Sequence, residues 1–196
     1  MRLLFILALT AMSITAFGQK NKKKAVNEDE YPVKMKMVLG KSLDSMLVIH
    51  YVIPEAVEII NGKRQLKNDN ITMTILEKST GADADTRPLY IHILAYANWY
   101  ATEAGLADSL GKFNMRLMER FPKEVLRYFK KAETDKRLED AQKAFNYNLA
   151  FELNSKDDPE TAFDEFTERV LKTYKNKETK PIDDILKAVK KLMKKT

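Results

Sequence analysis

Arg87 to Lys131 reads RPLYIHILAYANWYATEAGLADSLGKFNMRLMERFPKEVLRYFKK. It holds the only Trp, four of the eight Tyr and three of the nine Phe, so the bulkiest apolar side chains are concentrated here. Pro88 stands where a first helical residue belongs, because its missing N–H is not needed there. Leu89, Ile93, Tyr96, Ala97 and Tyr100 then recur at helical spacing, and Tyr90, Ile91, Leu94, Trp99 and Ala101 fill most of the remaining circumference. A helix apolar nearly all round is buried on several sides. The run is expected to end at Gly105, a residue suited to the left-handed position after a helix. A membrane span needs about 20 apolar residues. This run is shorter and contains His92, Asn98 and Glu103, so it reads as a core helix.

Asp108 is the expected N-cap of a second helix with Leu110, Phe113, Leu117, Met118 and Phe121 on one stripe. Pro122 should stop that helix and start a third, in which Val125, Leu126 and Phe129 face inward. Short helices joined by brief turns pack antiparallel or at sharp angles. The predicted fold class is therefore all-α: a compact multi-helix domain of short antiparallel helices, with HEAT-like stacking as one version of it. No fixed-period repeat is visible in the sequence to support a solenoid.

Upstream, Val33, Met35 and Met37 alternate with Lys34 and Lys36, a strand signal. Leu43, Met46, Leu47, His50, Ile53, Val57 and Ile60 follow helical spacing, with Pro54 as a break or a new start before Gly62. Ile71 to Lys78 reads as a short helix capped by Asp69 or Asn70, or as a strand. Helices are the preferred reading of this region. Strands would make the fold α+β with a small N-terminal sheet. Ser79 to Thr86 (STGADADT) reads as a solvated loop, because it lacks the Gly and the distal Glu of a calcium loop.

Downstream, Thr134 or Asp135 should cap a helix to about Leu153, with Leu138, Ala141, Phe145, Leu149 and Leu153 on one stripe. Ala144, Tyr147 and Phe151 form a second stripe that would be covered from the far side. Pro159 starts a helix burying Ala162, Phe163, Phe166, Val170 and Leu171, and Pro181 starts the last one. Ile182, Ile185, Leu186, Val189, Leu192 and Met193 give that last helix a clean apolar face.

Near the start of the 196-residue chain stand Arg2, an apolar run from Leu3 to Phe17, and small residues at Ala16 and Gly18. This is the pattern of a secretory signal peptide over residues 1–18, cleaved before Gln19. Residues 19–30 contain KNKKK and NEDE and are expected to form a disordered tether. Residues 31–196 are expected to form a single helical domain. The chain has no Cys, so there is no disulfide and no thiolate chemistry, and core packing must carry its stability. Export without disulfides fits a bacterial periplasm or cell exterior.

The formal net charge is +6. Four Lys lie between Lys20 and Lys24, and nine Lys from Lys172 onward face only Glu178, Asp183 and Asp184. Residues 25–171 are therefore mildly acidic. Basic charge confined to the two ends argues against a nucleic-acid-binding face. Residues 181–196 pair an apolar stripe with Lys, so contact with an anionic membrane surface is an alternative use of that helix.

The two His, His50 and His92, lie in apolar surroundings without metal-ligand spacing, and no nucleophile or phosphate-loop motif occurs. No catalytic residue, metal site or cofactor is expected. His92, Tyr96, Trp99, Tyr100 and Glu103 share one face of the central helix, and are the candidate residues of a binding groove. Asn98, Asn146 and Asn148 are polar residues in apolar runs that would mark helix–helix networks. The expected function is an exported, non-catalytic module binding a protein, a peptide or a small apolar ligand. An enzyme whose site one sequence does not spell out is the alternative.

Overall fold

The computed structural model describes residues 35–100, 104–130 and 135–194. The expected signal peptide, the tether, the start of the domain at residues 31–34, Glu103 and Thr134 lie outside the described residues. The described chain is all-α apart from one minimal hairpin, β1 (Met37–Val38) and β2 (Lys41–Ser42), paired antiparallel. Of the alternating Val33–Met37 pattern, Val33 and Lys34 lie outside the described residues, and among Met35, Lys36 and Met37 only Met37 enters a strand. Leu39 and Gly40 join the strands with φ of 51° and 88°. A two-residue turn with both φ positive matches the twist of the strands.

The helices are α1 (Leu43–Leu47), α2 (Pro54–Ile60), α3 (Asn70–Glu77), α4 (Arg87–Tyr100), α5 (Ala104–Arg120), α6 (Pro122–Phe129), α7 (Lys136–Asn154), α8 (Pro159–Tyr174) and α9 (Lys180–Met193). Helices prevail between Leu43 and Glu77 because each start is defined. Ser42 caps α1, Pro54 opens α2, and Asp69 accepts the Thr72 amide at 2.7 Å to cap α3. A 3-10 turn at Lys78–Thr80 follows, with Ser79 and Thr80 buried, so the solvated loop begins only at Gly81. Asp85 pairs with Lys41 at 2.7 Å, and Asp83 accepts the Thr86 hydroxyl and the Asp85 amide.

α4 is buried from Arg87 to Asn98. α7 is the hub: it packs on α4, α5, α8 and α9, and more lightly on α6. Such packing makes a compact bundle and not a one-dimensional array, in which each pair would touch only its neighbours. The apolar stripe of α9, with Ile182, Ile185, Leu186 and Val189 buried, lies against this hub. That stripe belongs to the core, and Lys190 lies over the Phe163 ring of α8.

Several local expectations change. Gly105 does not end α4; it sits in the first turn of α5, and Asp108 is inside that helix and exposed. A Cβ on Gly105 would meet the end of the exposed Asn68 side chain at 2.1 Å, so that side chain would have to move aside. His50 lies on the surface, edge-on to Tyr51. Tyr147 and Phe151 are 48% and 46% exposed, so the second stripe of α7 is not covered, and Leu171 is exposed too. The stripe reading fails at these positions because i, i+4 spacing says which residues share a face, not whether a neighbour covers it.

Candidate functional site

The predicted face of α4 resolves into two unlike parts. His92 is 1% exposed, and its Nδ1 lies 2.7 Å from the Tyr128 hydroxyl on α6. Burial pushes the Tyr128 phenol up, so it stays neutral and serves as a hydrogen-bonding group inside the core. His92 is therefore a core residue that ties α4 to α6. Tyr96, Trp99 and Tyr100 do come together: Tyr96 stacks on Tyr100 at 5.3 Å between ring centroids and meets Trp99 at 6.0 Å. Burial also raises the Tyr96 phenol. Trp99 and Tyr100 are half-buried at the edge of the core. Glu103, the fifth candidate, lies outside the described residues.

The polar residues of the apolar runs also divide. Asn98 of α4, Asn114 of α5 and Asn148 of α7 form one network. Asn98 Nδ2 donates to Asn114 Oδ1 at 3.0 Å, and Asn114 Nδ2 donates back to Asn98 Oδ1 at 2.7 Å. Asn148 Nδ2 donates to Asn98 Oδ1 at 2.9 Å, and Asn114 Nδ2 also reaches the Phe145 carbonyl at 3.1 Å. Asn146 is different. It is 9% exposed, and its Oδ1 is buried with no hydrogen-bond partner. Most buried polar groups are paired, so such an orphan calls for an explanation.

Asn146 lines a groove of about 940 Å³ between α6, α7 and α9. Three helix faces build it. α6 presents Lys123, Leu126, Arg127 and Lys130; α7 presents Glu139, Gln142, Lys143 and Asn146; α9 presents Lys180, Pro181, Asp184, Ile185 and Ala188. Each set follows the i, i+3/i+4, i+7 rule for one side of a helix. Phe129 and Tyr174 close the bottom, and the Tyr174 hydroxyl accepts from Asn176 Nδ2 at 3.3 Å. On the α7 side Lys143 and Lys136 both bond Glu139, and those hydrogen bonds hold its carboxyl below the usual range. Arg127 also donates to the Leu39 carbonyl at 3.2 Å, which holds the N-terminal hairpin beside the groove.

Among the described residues of the predicted face, His92, Tyr96, Trp99 and Tyr100, none lines this groove. The sequence did carry part of the signal: Lys123, Arg127 and Lys130 recur at i, i+4 and i+7 on a helix whose other side is apolar. Asn146 had been singled out as a polar residue in an apolar run, but its lack of a partner is a tertiary fact. No cluster of three or more potential metal ligands occurs among the described residues, and none of their helices is long and apolar enough to cross a membrane. No family model matches the chain, and no curated protein or solved structure matches it.

Proposed function

We propose that the protein is an exported, non-catalytic binding module whose ligand site is the groove between α6, α7 and α9. The observation that carries this reading is the groove itself. Its volume of about 940 Å³ falls in the range of small-ligand sites, and its lining joins apolar side chains to a few polar and charged ones. The chemistry of its walls supports binding over catalysis. His92 is committed to Tyr128 in the core and His50 lies on the surface, so neither histidine reaches the groove. Glu139, the carboxylate on the α7 wall, is tied up by two lysines and is held ionised. A general base needs a pKa near the working pH and a substrate within reach; this carboxylate has been moved the other way. Export is supported by the tripartite N-terminus, Arg2 followed by the apolar run to Phe17 and small residues before Gln19.

A fragment library titrated into the protein and followed by backbone-amide NMR tests the reading. Binding fragments are expected to shift Phe129, Asn146 and Ala188 together. Fragments that bind nowhere, or that collect at Tyr96, Trp99 and Tyr100, would sink the assignment of the groove.

A further inference from the structure

We infer that the groove selects a small amphiphilic anion: an organic molecule with an alkyl or aromatic body, a hydrogen-bond donor on that body, and a carboxylate or similar head. This inference rests on the reading of the groove as a binding site and adds the chemistry that the site prefers.

Three observations converge on that chemistry. Leu126, Phe129 and Ile185 give the groove an apolar lining, so the transfer of apolar surface from water favours an alkyl or aryl body there. The charged residues of the α6 wall are all basic. Lys123, Arg127 and Lys130 line it, and among the described residues none of the three forms an ion pair. On the opposite side Lys180 shares the rim with Glu178 and Asp184, so an anionic head is favoured at the α6 wall. The third observation is Asn146, nine-tenths buried in the groove lining with an unpartnered Oδ1. That oxygen is closed to solvent, so a turn of the side chain toward the groove would let a donor on the ligand satisfy it. The cost of leaving it bare is borne by the free protein, the usual arrangement for a group kept for binding.

The shape selects among anions. An open groove of this volume seats a small molecule, whereas an extended nucleic-acid strand or a membrane surface would be met by a broad basic face.

N-octanoylglycine carries the three features: an octanoyl chain, an amide N–H and a carboxylate. Its methyl ester keeps the chain and the N–H but not the charge, and octylammonium reverses the charge. Each is titrated into the full chain by isothermal calorimetry. The acid is expected to bind once per chain, the ester about tenfold more weakly, and octylammonium more weakly again. The double variant Lys123→Gln/Lys130→Gln should lower affinity for the acid about tenfold and leave the ester unchanged. Asn146→Leu should weaken both acid and ester. It should also raise the thermal midpoint of the free protein by roughly 2–4 °C, because it removes a buried orphan acceptor. Equal binding of acid and ester overturns the anion inference and leaves the groove a binding site. The same holds if no probe binds while library fragments still shift the groove. A destabilised Asn146→Leu protein would make Asn146 a structural residue and overturn the donor requirement. If neither the probes nor the fragments bind, both readings fall.

Discussion

Chemically identical residues take opposite roles here according to what surrounds them. Asn98, Asn114 and Asn148 satisfy one another across three helices, and Asn146 satisfies nothing inside the protein. Removing a network member takes buried hydrogen bonds from its partners. Asn114→Ala leaves Asn98 and the Phe145 carbonyl without the bonds they make to Asn114, while Asn98 keeps those to the Leu94 carbonyl and to Asn148. The expected cost is about 1–3 kcal/mol, because buried hydrogen bonds are lost without leaving Asn98 wholly unpaired. Urea unfolding measures it, and a loss well below about 1 kcal/mol would mean the network does not hold the helices together. The sequence flagged Asn98, Asn146 and Asn148 alike and missed Asn114. A polar residue in an apolar run announces burial; its partners sit on helices far away in the chain. Its spacing puts His92 on the candidate binding face, and Tyr128, which decides for the core, comes 36 residues later.

At the scale of elements, the helix starts are held by side chains whose ionisation matters. Asp158 accepts the Thr161 hydroxyl and amide at the start of α8, and those hydrogen bonds hold its carboxyl below the usual range. Before α4, the Thr86 hydroxyl does the same for Asp83. At α3, burial alone would raise the Asp69 carboxyl. The hydrogen bonds from Thr72 and the charges of Arg64 and Lys67 outweigh burial and hold it low. A carboxyl whose pKa is depressed by folding binds protons more readily in the unfolded chain. Its contribution is therefore complete above the unfolded value of about 3.9 and is lost as pH falls through the lower folded value. The thermal midpoint should decline steeply in that acid window. Asp83→Asn combined with Asp158→Asn should flatten the decline, since Asn still caps but does not titrate. An unchanged acid profile in the double variant would show that these carboxyls do not carry the dependence. Pro54, Pro122 and Pro159 marked helix starts correctly because a fixed φ and a missing N–H act within a single residue. Gly105 and Asp108 misled for the converse reason. The neighbour of Gly105 is Asn68, 37 positions back in the chain, and a cap-type residue inside a helix obeys packing that local sequence does not show. Close approach to backbone does require a glycine where α5 crosses α7, at Gly111. An added Cβ there would lie 2.6 Å from the Asn148 carbonyl oxygen.

For the molecule as a whole, export is proposed from the N-terminal leader, and the mass of the protein recovered from its native host checks it. A chain beginning at Gln19 is expected, and one that keeps Met1 to Phe17 would refute it. The positive charge also sorts at this scale. The Lys of α9 surround a stripe whose buried residues pack on α7, so any contact with an anionic surface would use the Lys face alone. Periodicity, prolines and caps dictated an all-α chain and placed most of its helices, because those signals act over one or two helical turns. The groove was beyond their reach. Its walls come from helices spanning residues 122 to 193, and its emptiness depends on how far apart α6 and α9 sit when both pack on α7. The aromatic face of α4 had the right spacing for a site, but packing took His92 into the core and left the cleft to residues whose local pattern is that of ordinary amphipathic helices. A helical face is a local property; whether it meets a neighbour, solvent or a cavity is settled by the placement of every other helix.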